Sequence, residues 1–193
     1  MKKPVVILVS AFLLFSICIC ISAIQIILYG CFWWECAPER NFRILELELP
    51  SSLFPDGAIT SPIHPMSDDF GPIEDGAKTI YWENGNGIAV YDVFRYSGTK
   101  MAIDGFEFRK GTLVNSETKD IWKPPADLTF SSRTADAMHV ACGYWSQKRC
   151  AMVARYQEYV IFFDAVMDAK MTFSRFEKIL VFIDKQISSR LYP

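Results

Sequence analysis

Residues 4–34 carry no charge and follow directly on Met1, Lys2 and Lys3. From residue 4 to residue 29 the run is almost wholly Val, Ile, Leu, Phe, Ala and Cys, with Ser10, Ser16, Ser22 and Gln25 as its polar interruptions. About 20 such residues cross the hydrocarbon layer as a helix. A cleaved secretory signal has a shorter apolar stretch, about 7–15 residues, and a small-x-small cleavage site. Here Ser22-Ala23 lies inside the run and no Ala-x-Ala follows it, so the pattern predicts a retained transmembrane anchor over 1–34. Lys2 and Lys3 hold the N-terminus on the cytoplasmic side, and Tyr29, Phe32, Trp33 and Trp34 form an aromatic belt at the far interface. The expected organisation is therefore this anchor, a juxtamembrane linker over 35–41 and an extracytoplasmic domain over 42–193. That makes a single-pass protein of the cell membrane with the bulk of its chain outside.

Leu28-Tyr29-Gly30-Cys31 resembles the bacterial lipobox, whose cysteine is lipidated and becomes the new N-terminus. Tyr29 is bulky where that motif takes a small or β-branched residue, and Phe32-Trp33-Trp34 stands where a polar tether is usual. Length and flanks favour the retained helix, with lipidation at Cys31 as the rival. Either way the domain is held at a membrane.

The whole chain has 20 basic and 22 acidic residues, a formal net charge of −2. No basic stripe is present to neutralise phosphates, which argues against nucleic acid as a partner. Six cysteines divide by position. Cys18 and Cys20 sit in the apolar run as small packing residues, and Cys31 and Cys36 flank the membrane exit. Cys142 and Cys150 bracket a seven-residue segment that reads as a hairpin tip, and in an oxidising compartment such a pair bonds. The register that joins 142 to 150 also sets Val140 against Met152 on one face.

Beyond the linker the pattern predicts an α+β domain, an antiparallel sheet of about five to seven strands with a long C-terminal amphipathic helix packed on it. A first strand is expected over 42–50, where apolar and polar residues alternate. Residues 51–77 hold four prolines and three glycines and read as one long loop. Asn84-Gly85-Asn86 marks a hairpin between strands at 78–83 and 87–96. A short helix over 100–110 is capped by Ser97 or Thr99, although Gly105 weakens it. Leu113-Val114 starts a further strand, which Trp122-Lys123-Pro124-Pro125 interrupts. Strands at 138–145, 149–156 and 159–167 follow as a meander. Phe173, Phe176, Ile179, Leu180, Ile183, Ile187 and Leu191 at helical spacing mark the last helix, with Thr172 or Ser174 as its cap.

Chemistry is harder to find. His139 and Cys142 have a spacing that suits a metal on a helix, but on a strand they point to opposite faces. His64 lies near Asp68 and Asp69 in the Pro-rich loop, where a solvated acidic loop is the plainer reading than a cation site. Asp136 and Glu158 are a carboxylate pair whose separation the sequence leaves open. No nucleophile elbow, phosphate loop or His-Glu-x-x-His pair occurs. Neither a metal nor a cofactor is expected. The suggestive residues are aromatic: Tyr144 and Trp145 at the disulfide-pinned tip, and Trp82 and Trp122 near turns, as a ligand or partner surface. The expectation is a membrane-anchored binding or accessory module without catalytic activity, meeting an envelope protein or a small ligand. The alternative is an envelope enzyme whose site is formed by loop 51–77 and the 142–150 hairpin.

Overall fold

Period-two apolar patterning recurs five times after residue 70, and each instance is a long strand in the computed structural model, which describes residues 3–29, 31–32, 35–66, 71–114 and 117–192. The strands are β1 (Ile59–Thr60), β2 (Pro72–Trp82), β3 (Gly87–Tyr96), β4 (Ala137–Trp145), β5 (Gln147–Tyr156) and β6 (Tyr159–Val166). They form one antiparallel sheet in the order β1-β2-β3-β6-β5-β4. The chain leaves β3 through helix α2 (Thr99–Gly111), crosses to the far edge, and meanders back until β6 pairs with β3. Helix α3 (Phe173–Leu191) closes the domain.

α3 buries the stripe its spacing foretold: Phe176, Ile179, Leu180, Ile183, Ile187 and Leu191. Its cap is Thr172, whose hydroxyl accepts from the Arg175 amide at 3.3 Å. This helix packs on the sheet face formed by Tyr91, Val93, Met152, Ile161 and Phe163. α2 packs on the other face, where Ala102 and Phe106 meet Phe94, Val153 and Val160. Gly105 is what lets it do so, because a Cβ there would collide with the Tyr96 phenol. The cap of α2 is Gly98, neither Ser97 nor Thr99.

Three expectations are corrected. Segment 42–50 is not a strand: Phe42, Ile44, Leu47 and Leu49 are buried, but a 3-10 turn over Ile44–Glu46 breaks the alternation between the two pairs. The Ile44 amide donates to the Glu74 carboxylate at 3.2 Å, so a side chain takes the place of a ladder partner. Nor is 51–77 one loop. It holds a 3-10 turn over Ser51–Leu53, β1 and the first half of β2. Gly76 misled because it is a strand glycine, pressed so closely by Ile63 that a Cβ would meet that side chain at 2.7 Å. Leu113-Val114 forms only an isolated bridge, Val114 to Ile121.

Helix α1 (Lys3–Tyr29) has 27 residues, about 40 Å of helix. Its side chains are described over 12–25, and Phe12, Leu13, Leu14, Phe15, Ile17, Ile19, Ile21 and Ile24 are all exposed. Residues 12–25 make about 21 Å of helix. Among the described residues no helix is long and apolar enough to cross a membrane. Lys2, Gly30, Trp33 and Trp34, which the orientation, lipobox and belt readings use, lie outside the described residues.

Cys142 is bonded to Cys150, with Cα atoms 4.0 Å apart, and Cys31 to Cys36 at 5.1 Å. The backbone amide and carbonyl of Cys142 turn away from β5 to pair with Lys123. Cys142 and Cys150 are thus a non-hydrogen-bonded cross-strand pair, the kind whose Cα atoms lie closest. Two disulfides mark a domain that matures in an oxidising, extracytoplasmic compartment. The Cys31 sulfur, which lipidation requires, is occupied by Cys36.

Residues 35–41 are docked on the domain rather than strung as a free linker. Ala37 donates to the Ser97 carbonyl at 2.7 Å, and Arg95 donates to that of Pro38 at 2.7 Å. Arg40 grips the buried Glu158 carboxylate with two bonds, 2.7 and 2.8 Å. The chain therefore joins the sheet at the end where β3 finishes and β5 turns into β6. The β4–β5 turn lies at the opposite end, about 30 Å away along strands of this length.

Candidate functional site

The four aromatic residues expected to make one surface divide into two pairs. Tyr144 and Trp145 are exposed at 63% and 55%, at the tip of the β4–β5 hairpin. Trp82 and Trp122 are buried, at 2% and 5%. Each lies flat over a strand glycine: a Cβ at Gly87 would collide with the Trp82 indole, and one at Gly143 with that of Trp122. The Trp82 indole also donates to Asp168 at 2.7 Å. These two rings are core, because the glycines beside them leave ring-sized space on the sheet.

The histidines do not converge. Register pairs place His64, Ala77, Asp92, Phe162, Val153 and His139 in one row across the sheet. Paired residues share a face, so the two histidines face the same side, five pairings and about 24 Å apart. His139 is half-buried, and burial first, then the neighbouring Lys110, holds its pKa below the usual value, with Glu107 opposing. Cys142 is closed in its disulfide. Asp68 and Asp69 lie outside the described residues, among which no group of three His, Cys, Asp or Glu could hold a metal. Asp136 and Glu158 flank one turn, but each is committed to its own arginine: Asp136 to Arg155 at 3.1 Å, Glu158 to Arg40. Arg149 of the hairpin and His64 of the 51–77 segment are about 20 Å apart across the sheet. A catalytic contact needs about 3 Å.

What the structure does assemble is an uncovered half of the α2 face. α2 rests on the part of the face nearer residues 35–41, and Trp122 extends that cover over β4. Toward the β4–β5 turn Val90 and Phe162 are half-buried and Tyr81 is exposed. Trp145 reaches across from the edge strand to rim a hollow of about 370 Å3, lined by Val90, Ser146, Arg149, Phe162 and Asp164. Its floor carries a buried ion pair, Arg149 to Asp164 at 2.7 Å, with two further bonds of 3.0 Å from the guanidinium Nε. Burial pushes the Asp164 carboxyl up and Arg149 pulls it back. One position along β3 from Val90 on the same face stands Asp92. It makes no hydrogen bond or ion pair among the described residues, and burial pushes its pKa up to about 6. Arg109 opposes that shift and the negative Asp164 adds to it.

Asp92, Asp164, Arg149, Val90 and Phe162 were not among the residues singled out from the sequence. The signal was there: Val-Tyr-Asp-Val-Phe and Phe-Phe-Asp-Ala-Val each set one acid inside an otherwise apolar strand. A charge in such a position is buried only if paired, or else marks a face that is open.

No protein-family model matches the chain, and neither does any curated protein or solved structure. The functional reading therefore rests on the geometry alone.

Proposed function

We propose that this protein is a non-catalytic binding module, held on the outer face of the cell membrane by α1 and recognising an envelope protein or a small ligand through the bare half of its α2 face. The carrying observation is that hollow, with its exposed Trp145, half-buried Val90 and Phe162, and charged floor. An exposed aromatic on a rigid, disulfide-pinned hairpin is a low-entropy anchor for a partner. Support for the anchor comes from α1, whose described side chains over 12–25 are apolar apart from Ser16, Ser22 and Gln25, with its large apolar ones exposed. The Lys2-Lys3 flank sets its N-terminus inside. Docking of 35–41 then orients the domain so that Trp145 faces away from that membrane, toward a partner in the outer compartment.

A photo-crosslinking residue at position 146, which also lines the hollow, placed in the full chain and irradiated in its native membrane, should give a discrete adduct. Val90→Asp should abolish it. Turnover of ester, phosphate, peptide or glycoside substrates by the purified full chain, lost in Asp92→Asn, would overturn the non-catalytic reading. Protease added to spheroplasts should digest the domain, and protection of residues beyond 42 would refute the orientation. Labelled palmitate on Cys31 would establish the lipid anchor instead.

A further inference from the structure

We propose that the outer edge of β4 at Met138 and Val140 accepts an extended polypeptide segment of a partner protein as an added antiparallel strand. This surface is separate from the hollow, and its chemistry is that of the backbone.

Cys142 exchanges two backbone bonds with Lys123, 2.8 and 3.0 Å, so the even-numbered residues of β4 aim their amides and carbonyls away from β5. Continued in the same register, that pairing would set residue 125 against Val140 and residue 127 against Met138. Residue 125 is proline and has no amide to give. The chain instead turns outward, with the Leu128 amide on the Pro125 carbonyl. The ladder stops after one rung. Among the described residues the outward amides and carbonyls of Met138 and Val140 have no hydrogen-bond partner. Beside them runs a groove of about 450 Å3, with Leu128, Phe130 and Ser132 forming its far wall.

Long unpaired edges are usually blunted or covered. Here Pro125 prevents the chain's own segment from continuing the ladder over this one, and the groove lies open beside it. The alternation of a strand then specifies the occupant. Its residue opposite Val140 points to the side of Leu128 and Phe130, which pack on the α3-face core, and so is apolar. The residues before and after it point to the side of His139, where Lys110 and Glu107 lie, and so are polar. The 128–135 wall stands in the way of a second β4 edge, which needs a clear flank for two-fold pairing.

The test is amide hydrogen exchange on the full chain in detergent micelles. The probe is the acetylated, amidated peptide Thr-Val-Thr-Leu-Thr-Val-Thr at millimolar concentration, and its control the same peptide N-methylated at alternate residues. The Met138 and Val140 amides should exchange fast without peptide and at least about tenfold more slowly with it, while His139 and Ala141 stay protected throughout. The N-methylated control should have no effect. Val140→Pro removes an outward amide and should abolish the peptide's protection of the Met138 amide. Pro125→Thr supplies the missing donor, and should protect Val140 without peptide and weaken the peptide's effect. Unchanged exchange at 138 and 140 with peptide, or protection that appears without peptide and grows with protein concentration, would overturn the proposal, the latter in favour of a second copy.

Discussion

The two faces of the sheet are built from the same strands and end up with opposite properties. On one face α3, with 19 residues and a continuous apolar stripe, is joined by the 42–54 segment and by Leu128 and Phe130, and the core beneath is sealed. On the other, α2 has 13 residues, of which Ala102, Gly105 and Phe106 are buried, and it leaves the rows through Val90 and Phe162 half open. Charge follows cover. The sealed face accommodates Lys78 by giving it the Glu48 carboxylate at 2.7 Å and the Leu49 carbonyl at 2.9 Å. The open face leaves Asp92 without such partners. A charge under closed cover must be paired, whereas an open face can leave one for a ligand.

Substitutions separate the two most sharply where packing is complete. Phe176→Ala, beneath α3 against Phe163 with ring centroids 5.6 Å apart, should cost about 4 kcal/mol of stability, whereas Val90→Ala on the bare half should cost under about 1 kcal/mol. Denaturant unfolding of the full chain in micelles measures both, and equal losses would erase the distinction.

Next in size is the disulfide that pins the tip on the sealed side. Changing Cys142 and Cys150 together to serine should remove about 2.5 kcal/mol, the loop-closure entropy of so short a ring, with the far-ultraviolet spectrum retained. An unchanged melting temperature would mean that the hairpin holds its register without the bond.

Asp92 gives the pH test. Its folded pKa, about 6, lies above its unfolded value of about 3.8, so the native state binds the proton more tightly. Stability from this group is highest below pH 4, falls as pH rises through 4–6, and stays reduced above. Solvent still reaches the half-buried carboxyl, so Asp92→Asn should stabilise the protein at pH 7 by only about 1 kcal/mol. It should also flatten the profile between pH 4 and 6, and an unaltered profile would show that the open face does not desolvate this side chain. The smallest effect on stability belongs to Trp145→Ala, under about 0.5 kcal/mol, combined with complete loss of the adduct at the hollow. A large loss of stability there would make Trp145 a packing residue like Trp82.

Much of this was legible in the order of residues. The meander, α2, α3 and the 142–150 pairing are local matters: two periodicities, a glycine-rich turn and a cysteine spacing that closes a hairpin in register. The 42–50 segment shows the limit, since its alternation is real yet a single 3-10 turn reassigns every side chain. At the candidate site the tip residues Tyr144 and Trp145 could be found because a hairpin is local. Their division from Trp82 and Trp122 could not. Whether an indole is exposed depends on which glycine lies under it, and Trp122 meets Gly143 only after the chain has crossed back to β4.

By itself the sequence determined an apolar helix at the head of the chain, an antiparallel α+β domain behind it, and the compartment its cysteines require, because helix period, strand period and turn chemistry act over a few residues. Tertiary structure alone decided that β6 lies between β3 and β5, which brings Asp164 beside Val90 and Arg149. It alone decided that a helix of 13 residues stops short of covering the strands below it, and that Pro125 falls where Val140 needs a partner. Those outcomes depend on which distant segments meet, and loop-closure entropy and the burial of whole faces settle that globally rather than residue by residue.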